Sequence, residues 1–239
     1  MKKELGYFCE MNFKKPPFYF VMIFIMALFS FTLFQLFTDE SIKQILASRD
    51  VARVYVTETV YVMSLSMIIM GIFANLQQIL IPEKESGRIE FLLSNGFRIK
   101  SYLKSALLIM WLSGEIYLAV FLTVFFILKQ RYLPKTPIAD MLIIFVYITF
   151  VNLGVSAFIS SVVLRIRRVA IMRFLTMTSV FAIGYGGNVL INTTVKNFQG
   201  DIFTLLLTFS LITGVGFLTL GIFFGKGVNQ ETVVLTIPE

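Results

Sequence analysis

The chain has 239 residues, of which 57% are hydrophobic, 26 are Phe and only 15% are charged. Soluble domains carry ~25% charged residues, so a soluble fold could not keep this much apolar surface from water. The net charge of +7 sits on Lys and Arg that flank apolar runs and form no single groove or face. It therefore bears on orientation in a membrane, and no nucleic-acid partner is expected. Histidine is absent and Cys9 is the only cysteine. His-based acid–base catalysis, bis-His haem, the common zinc hydrolase sites, an internal disulfide and a multi-thiol metal site are all excluded.

Residues 1–17 read as an amphipathic helix at the membrane surface. Met1, Leu5, Phe8, Cys9 and Phe13 fall on one helical face, and Lys3, Glu10 and Lys14 on the other. The pattern is imperfect: Asn12 interrupts the apolar face, Lys2 lies at its edge, and Tyr7 and Met11 point away from it. Pro16 and Pro17 then turn the chain into the bilayer. The competing reading is a basic tail that only sets topology.

Crossing ~30 Å of hydrocarbon takes ~20 apolar residues. Six runs meet that length: 18–37, 59–81, 106–128, 141–164, 174–195 and 202–225. The expected fold is an all-α polytopic membrane protein with six transmembrane helices in a single domain. The first run is too long for the apolar core of a secretory signal, and no small-residue cleavage site follows it, so it reads as a retained helix. With the N-terminus inside, fourteen Lys and Arg fall on the inner side and seven on the outer. This bias places both termini in the cytoplasm. The outer loop 38–58 is mixed in charge and reads as partly helical.

The segment between the second and third runs is the most specific in the chain. Pro82 is expected to end the second span and open a new helix, 83–94. Glu83 and Glu85 fall in its first turn, where the dipole favours negative charge. Ile89, Leu92 and Leu93 mark an apolar face, and Asn95 and Gly96 supply a stop that tolerates left-handed backbone.

This segment resembles the cytoplasmic loop of type 2 ABC transporter permeases, the six-span subunits of ATP-driven exporters. The family pattern is an acidic residue, any residue, Gly, two residues, Glu, one residue and Leu-Leu. Here those positions are Glu85, Gly87, Glu90, Leu92 and Leu93, and Lys104 matches a basic residue common near the third span. Gly96 stands where the family often has Pro, and the loop before the sixth span is short and without prolines. The resemblance implies a coupling helix, the peg that fits a groove on a separate ATPase and passes nucleotide-driven motion to the spans. Leu92 and Leu93 would be its anchors, and Glu83, Glu85, Arg88 and Glu90 its polar rim. It also implies a dimer of permease subunits in a cell membrane, with ATP and magnesium bound by the partner. The competing reading is a loop helix lying on lipid.

Glu115 is the one charge deep inside a run, ~14 Å along a helix that starts at residue 106. A carboxyl group at that depth costs several kcal/mol by the usual scales and is directed at protein or water. It reads as a substrate contact, a proton-sensitive gate, a subunit-interface pair, or a neutral group bonded between helices. Asn152, Ser156 and Ser160 form a polar stripe on the fourth run, Tyr185, Asn188 and Asn192 on the fifth, and Asn75 with Gln78 on the second. Such stripes glue helices together or line a path, here Glu115, Asn152, Ser156, Ser160 and Asn188. Gly184, Gly186 and Gly187 weaken the fifth run.

Gly221 and Gly225 permit a close helix contact. The stretch around them fails as a phosphate loop, because Gly227 stands where a Ser or Thr would bind magnesium. No ATPase motif, catalytic residue, metal site or cofactor site is therefore expected in the chain itself. An intramembrane enzyme lacks a nucleophile–base pair to build on. A stand-alone binding or immunity protein without an ATPase is the alternative to the exporter subunit.

Overall fold

The computed structural model describes residues 2–13, 49–132, 138–166 and 202–229, with the isolated positions Ile171, Phe174, Thr178 and Val233. The expected span 18–37, the span 174–195 apart from Phe174 and Thr178, with its residue Asn188, residues 38–48 of the outer loop and the end of the surface segment beyond residue 13 lie outside the described residues. Every element among the described residues is helical. In chain order they are α1 (Lys2–Phe13), α2 (Arg49–Asn75), α3 (Ile81–Glu85), α4 (Arg88–Ser94), α5 (Ile99–Tyr132), α6 (Ile138–Arg165) and α7 (Ile202–Lys226). Four stretches are long and apolar enough to cross a membrane: Val56–Glu85, Ile99–Ile127, Ala139–Arg165 and Phe203–Lys226.

The second expected span is longer than its apolar run at both ends. Its helix starts at Arg49 and does not stop at Pro82. A π-helical turn, Leu76–Leu80, joins α2 to α3, and the Ile81 N–H bonds to the Leu76 carbonyl five residues back. Proline in a regular helix clashes with the carbonyl four residues earlier. A wider turn just upstream relieves that clash, so the chain carries Pro82 without breaking. Buried Leu76, Ile79 and Leu80 hold the π turn in the core.

The expected helix 83–94 is therefore two pieces. Residues 83–85 belong to the end of the α2–α3 rod, and a new helix starts at Arg88. The break is at Gly87, with φ of 65°, a left-handed conformation that side chains resist. The other end of α4 is closed by a Schellman motif. The Gly96 N–H bonds to the Leu93 carbonyl at 3.1 Å, the Phe97 N–H bonds to the Leu92 carbonyl at 3.2 Å, and Gly96 has φ of 87°.

Glycines set how closely the long helices approach. A Cβ on Gly71 would stand 3.0 Å from the Gly114 Cα, so α2 and α5 cross backbone to backbone there. Between α6 and α7 the close pairs are Gly154 with Gly214, Ala157 with Gly221, Ser161 with Gly225 and Arg165 with Gly227. The paired numbers rise together, so these two helices run parallel. The ends of α3, α6 and α7 and the starts of α4 and α5 thus gather at one end of the bundle, called the loop end below.

Candidate functional site

Two clusters bring together the polar residues that the sequence singles out. The first is at the loop end and centres on Glu83, which is 2% exposed. Tyr102 of α5 donates its hydroxyl to Glu83 Oε2 at 2.5 Å, and Tyr7 of α1 donates to Glu83 Oε1. Burial, with the Glu83 carboxylate beside it, pushes the Tyr7 phenol above its ordinary range. The rings form one aromatic cluster: Phe8 lies 4.9 Å from Tyr102 by centroid, and Tyr7 meets Phe97 edge-on at 6.2 Å. The Arg88 guanidinium covers Tyr7 at 5.5 Å from its centroid.

Lys84 points the other way and is also buried. Its Nζ donates to the carbonyls of Val163 at 2.9 Å and Leu164 at 3.1 Å, and to that of Ile166. These carbonyls are at the end of α6, where the helix has no N–H of its own to offer them and where its dipole favours a cation. Adjacent residues 83 and 84 thus tie the rod to α1 and α5 on one side and to α6 on the other. In the sequence Lys84 is one more flanking charge, and Glu83 is expected in the first turn of a helix and on the polar rim of the peg. Tyr102 is not among the residues singled out there, and Tyr7 appears only as pointing away from the apolar face. A usable signal was present: an acid–base dipeptide after an apolar run, with tyrosines whose hydroxyls need partners when buried.

Around this knot α4 projects with a sidedness different from the expected one. Leu92 is 7% exposed and belongs to the core, and Leu93 packs against that core. These two anchor α4 to its own chain, because its apolar side is turned into the bundle. Glu83 is likewise removed from the rim by its burial between the tyrosines. The surface left facing outward carries Glu85, Arg88 and Glu90, together with Phe91, which is 66% exposed. Phe91 was not singled out in the sequence.

The α1 helix docks on the protein core. Phe8 and Glu4 are buried, and Leu5, Tyr7, Cys9 and Met11 pack against the core. Tyr7 and Met11, which fall outside the expected apolar face, thus share the protein-facing contact with Leu5 and Cys9.

The second cluster lies mid-helix, between α5 and α6. Asn152 donates its Nδ2 to Glu115 Oε1 at 2.8 Å and to the Trp111 carbonyl at 2.9 Å. Thr149 donates to Glu115 Oε2 at 3.0 Å, and Ser156 donates to Asn152 Oδ1 at 3.3 Å. Asn152, Ser156 and Ser160 are wholly buried, whereas Glu115 is partly exposed. Ser160 bonds back to the Ala157 carbonyl at 3.2 Å and does not reach Glu115. Gly114 makes the site feasible: a Cβ there would stand 2.6 Å from the Asn152 amide. Asn75 turns its Nδ2 onto the Gly71 carbonyl at 3.0 Å, within its own helix. Among the described residues no group of three or more His, Cys, Asp or Glu could hold a metal ion.

Compared with family models, curated proteins and solved structures, the chain matches none of them.

Proposed function

We propose that this chain is the membrane subunit of an ATP-driven exporter of the type 2 ABC permease kind. It would form the translocation path with a second copy or a homologue. A separate ATPase subunit would bind ATP and magnesium and drive it. What supports this is α4. A short helix in the loop between two long apolar helices is pinned by glycines at both ends and by Leu92 beneath it. It presents Glu90 and Phe91 outward at the end where α1, α5, α6 and α7 meet. Below it, Glu83 and Lys84 bind the helix ends together. A push on α4 would therefore be delivered to several helices and not dissipated in a loop.

The parallel course of α6 and α7 fits the same reading. Two consecutive spans that run parallel need one recrossing between them, and the sequence offers residues 174–195 for it. With 18–37 as the first span, six crossings put both termini and α4 on the ATPase side of a bacterial or archaeal cell membrane. In this proposal Phe91 replaces Leu92 and Leu93 as the apolar anchor of the peg.

Co-purification tests it. The native chain should bring down an ATPase, Phe91→Glu should abolish the association while leaving the protein inserted, and Glu90→Ala should lower transport or ATPase stimulation. Recovery of the native chain with no ATPase in any preparation would overturn the proposal and leave a stand-alone membrane protein.

A further inference from the structure

We infer that Glu115, with Asn152, Thr149 and the Trp111 indole, forms a receptor for an organic ammonium group at membrane depth. The carboxyl group is placed, not stray. Each of its oxygens accepts one side-chain hydrogen bond, from Asn152 at 2.8 Å and from Thr149 at 3.0 Å. Asn152 is itself fixed from two other directions, by the Trp111 carbonyl and by Ser156. A wholly buried amide held this way fixes the carboxyl position in advance of any ligand. Gly114 keeps the space for that amide free, and a side chain there would collide with it.

A carboxylate at this depth calls for a cation. No Lys or Arg occurs in any of the six apolar runs, and no ion pair to Glu115 exists among the described residues. A counter-charge for an ionised Glu115 would therefore come from outside these apolar runs. Glu115 keeps a partly exposed side, and on α6 the residues on the face of Thr149, Leu142 and Val146, are exposed and apolar. A metal ion fits poorly. The site has one carboxylate, and the amide group nearest to it is a donor, whereas hard cations need six or more oxygen ligands. An ammonium N–H needs only the open lone pairs of the carboxylate. Trp111 stands one turn before Glu115 on the same face and is also partly exposed. An indole beside a carboxylate is the pairing that holds ammonium ligands, by cation–π and charge together. The occupant is thus an amphiphile with an amine head and an apolar body. The site is argued from α5 and α6 alone and stands apart from the ATPase reading.

Trp111 is the only tryptophan in the chain, so its fluorescence reports on this site without labelling. The full-length protein in phosphatidylcholine nanodiscs is titrated with dodecylammonium chloride, dodecanol and sodium dodecyl sulfate at neutral pH. The amine should give a saturable change, and the alcohol and the sulfate only the linear response of partitioning. Glu115→Gln should weaken the amine response about tenfold or more, as expected for loss of a charged partner. An unchanged half-saturation in that variant, or an equal saturable response from dodecanol, overturns the proposal. If Glu115→Gln does not insert, Glu115→Asp withdraws the charge by one methylene, and an unchanged half-saturation there overturns it equally. Replacing the lipid with phosphatidylethanolamine identifies the source. A weakened amine response would assign the site to a lipid headgroup amine, and an unaltered one to an amphiphile dissolved in the bilayer. None of these readings involves the ATPase, so failure here leaves the exporter proposal standing.

Discussion

Glu83 and Glu115 are the same side chain in two different settings. Glu83 is enclosed by two phenol hydroxyls from different helices and is 2% exposed. Glu115 takes its two bonds from α6 alone and keeps a side open. In the first case the surroundings are complete without any ligand, and the carboxylate serves to join α1, the α2–α3 rod and α5. In the second case the protein supplies half of the surroundings. A buried polar group that is fully satisfied rigidifies a fold, and one that is partly satisfied points to a missing partner. Lys84 sharpens the contrast, since the loop end holds its own cation against backbone carbonyls and the mid-helix site holds none.

A large effect should come from Lys84. Lys84→Met keeps the length of the side chain and removes every donor to the end of α6. Three carbonyls then lose a charged partner. Part of the loss is offset by relief of burying an ammonium, and the net cost should be about 3 kcal/mol. Thermal denaturation in detergent micelles measures it. A midpoint equal to the native one would show that the capping bonds do not hold the loop end together. Glu83→Gln comes next, at about 2 kcal/mol, because two buried hydroxyls lose a carboxylate acceptor. The matched change Glu115→Gln should cost under about 1 kcal/mol, since an amide oxygen still serves one donor and the open side relaxes. Equal costs at the two positions would erase the distinction between them.

Gly114→Ala tests how the mid-helix site is built. Its Cβ would meet the Asn152 amide at 2.6 Å, so the amide must move and Glu115 loses its anchor. A crowded contact of this kind costs about 1–3 kcal/mol. The Trp111 amine response should weaken in parallel. Stability lost without any change in that response would separate Gly114 from the site.

Much of the architecture was legible in the sequence because a membrane makes composition decisive. Apolar runs with basic flanks announced the four long apolar helices among the described residues, and Asn95 with Gly96 announced the stop of α4. The sidedness of α4 was not legible. Periodicity places Ile89, Leu92 and Leu93 on a common face, but it does not say whether that face meets the same chain or another. The course through Pro82 was hidden for a different reason. A proline reads as a boundary, and only the π turn at 76–80, which depends on packing of Leu76, Ile79 and Leu80, lets the helix pass. The partners of Glu115 were within reach, since Asn152 was singled out on its own stripe. What could not be read was the register of α5 against α6 that brings the two together. Tyr7 and Tyr102 are separated from Glu83 by 76 and 19 residues, and no local pattern links residues so far apart.

Tyr7→Phe removes one of the two hydroxyls on Glu83 and keeps the aromatic cluster with Phe8 and Phe97. The expected cost is about 1 kcal/mol, smaller than that of Glu83→Gln because Tyr102 remains. The sign of its pH dependence follows from the raised phenol. A group whose folded pKa lies above its unfolded value stabilises fully below the unfolded value and loses that contribution as pH rises past it. The gap in melting temperature between the native chain and Tyr7→Phe should therefore be constant near neutrality and shrink above pH ~10. A gap that widens in alkali would mean the phenol is not the donor.

The smallest expected effect on stability is at Phe91, and it is the most informative about function. Phe91→Ser removes an exposed ring that contributes little to the core, so the denaturation midpoint should shift by less than about 0.5 kcal/mol equivalent. Leu92→Ser, one residue on, should cost about 2–4 kcal/mol because that side chain is 7% exposed and part of the core. The pair divides α4 into an inward side that maintains the fold and an outward side available to a partner. If the outward side serves an ATPase, Phe91→Ser should weaken co-purification of that subunit while the stability of the isolated chain stays unchanged. Should both variants lose stability alike, α4 would be a packing element on all its faces, and the exposed ring would say nothing about a partner.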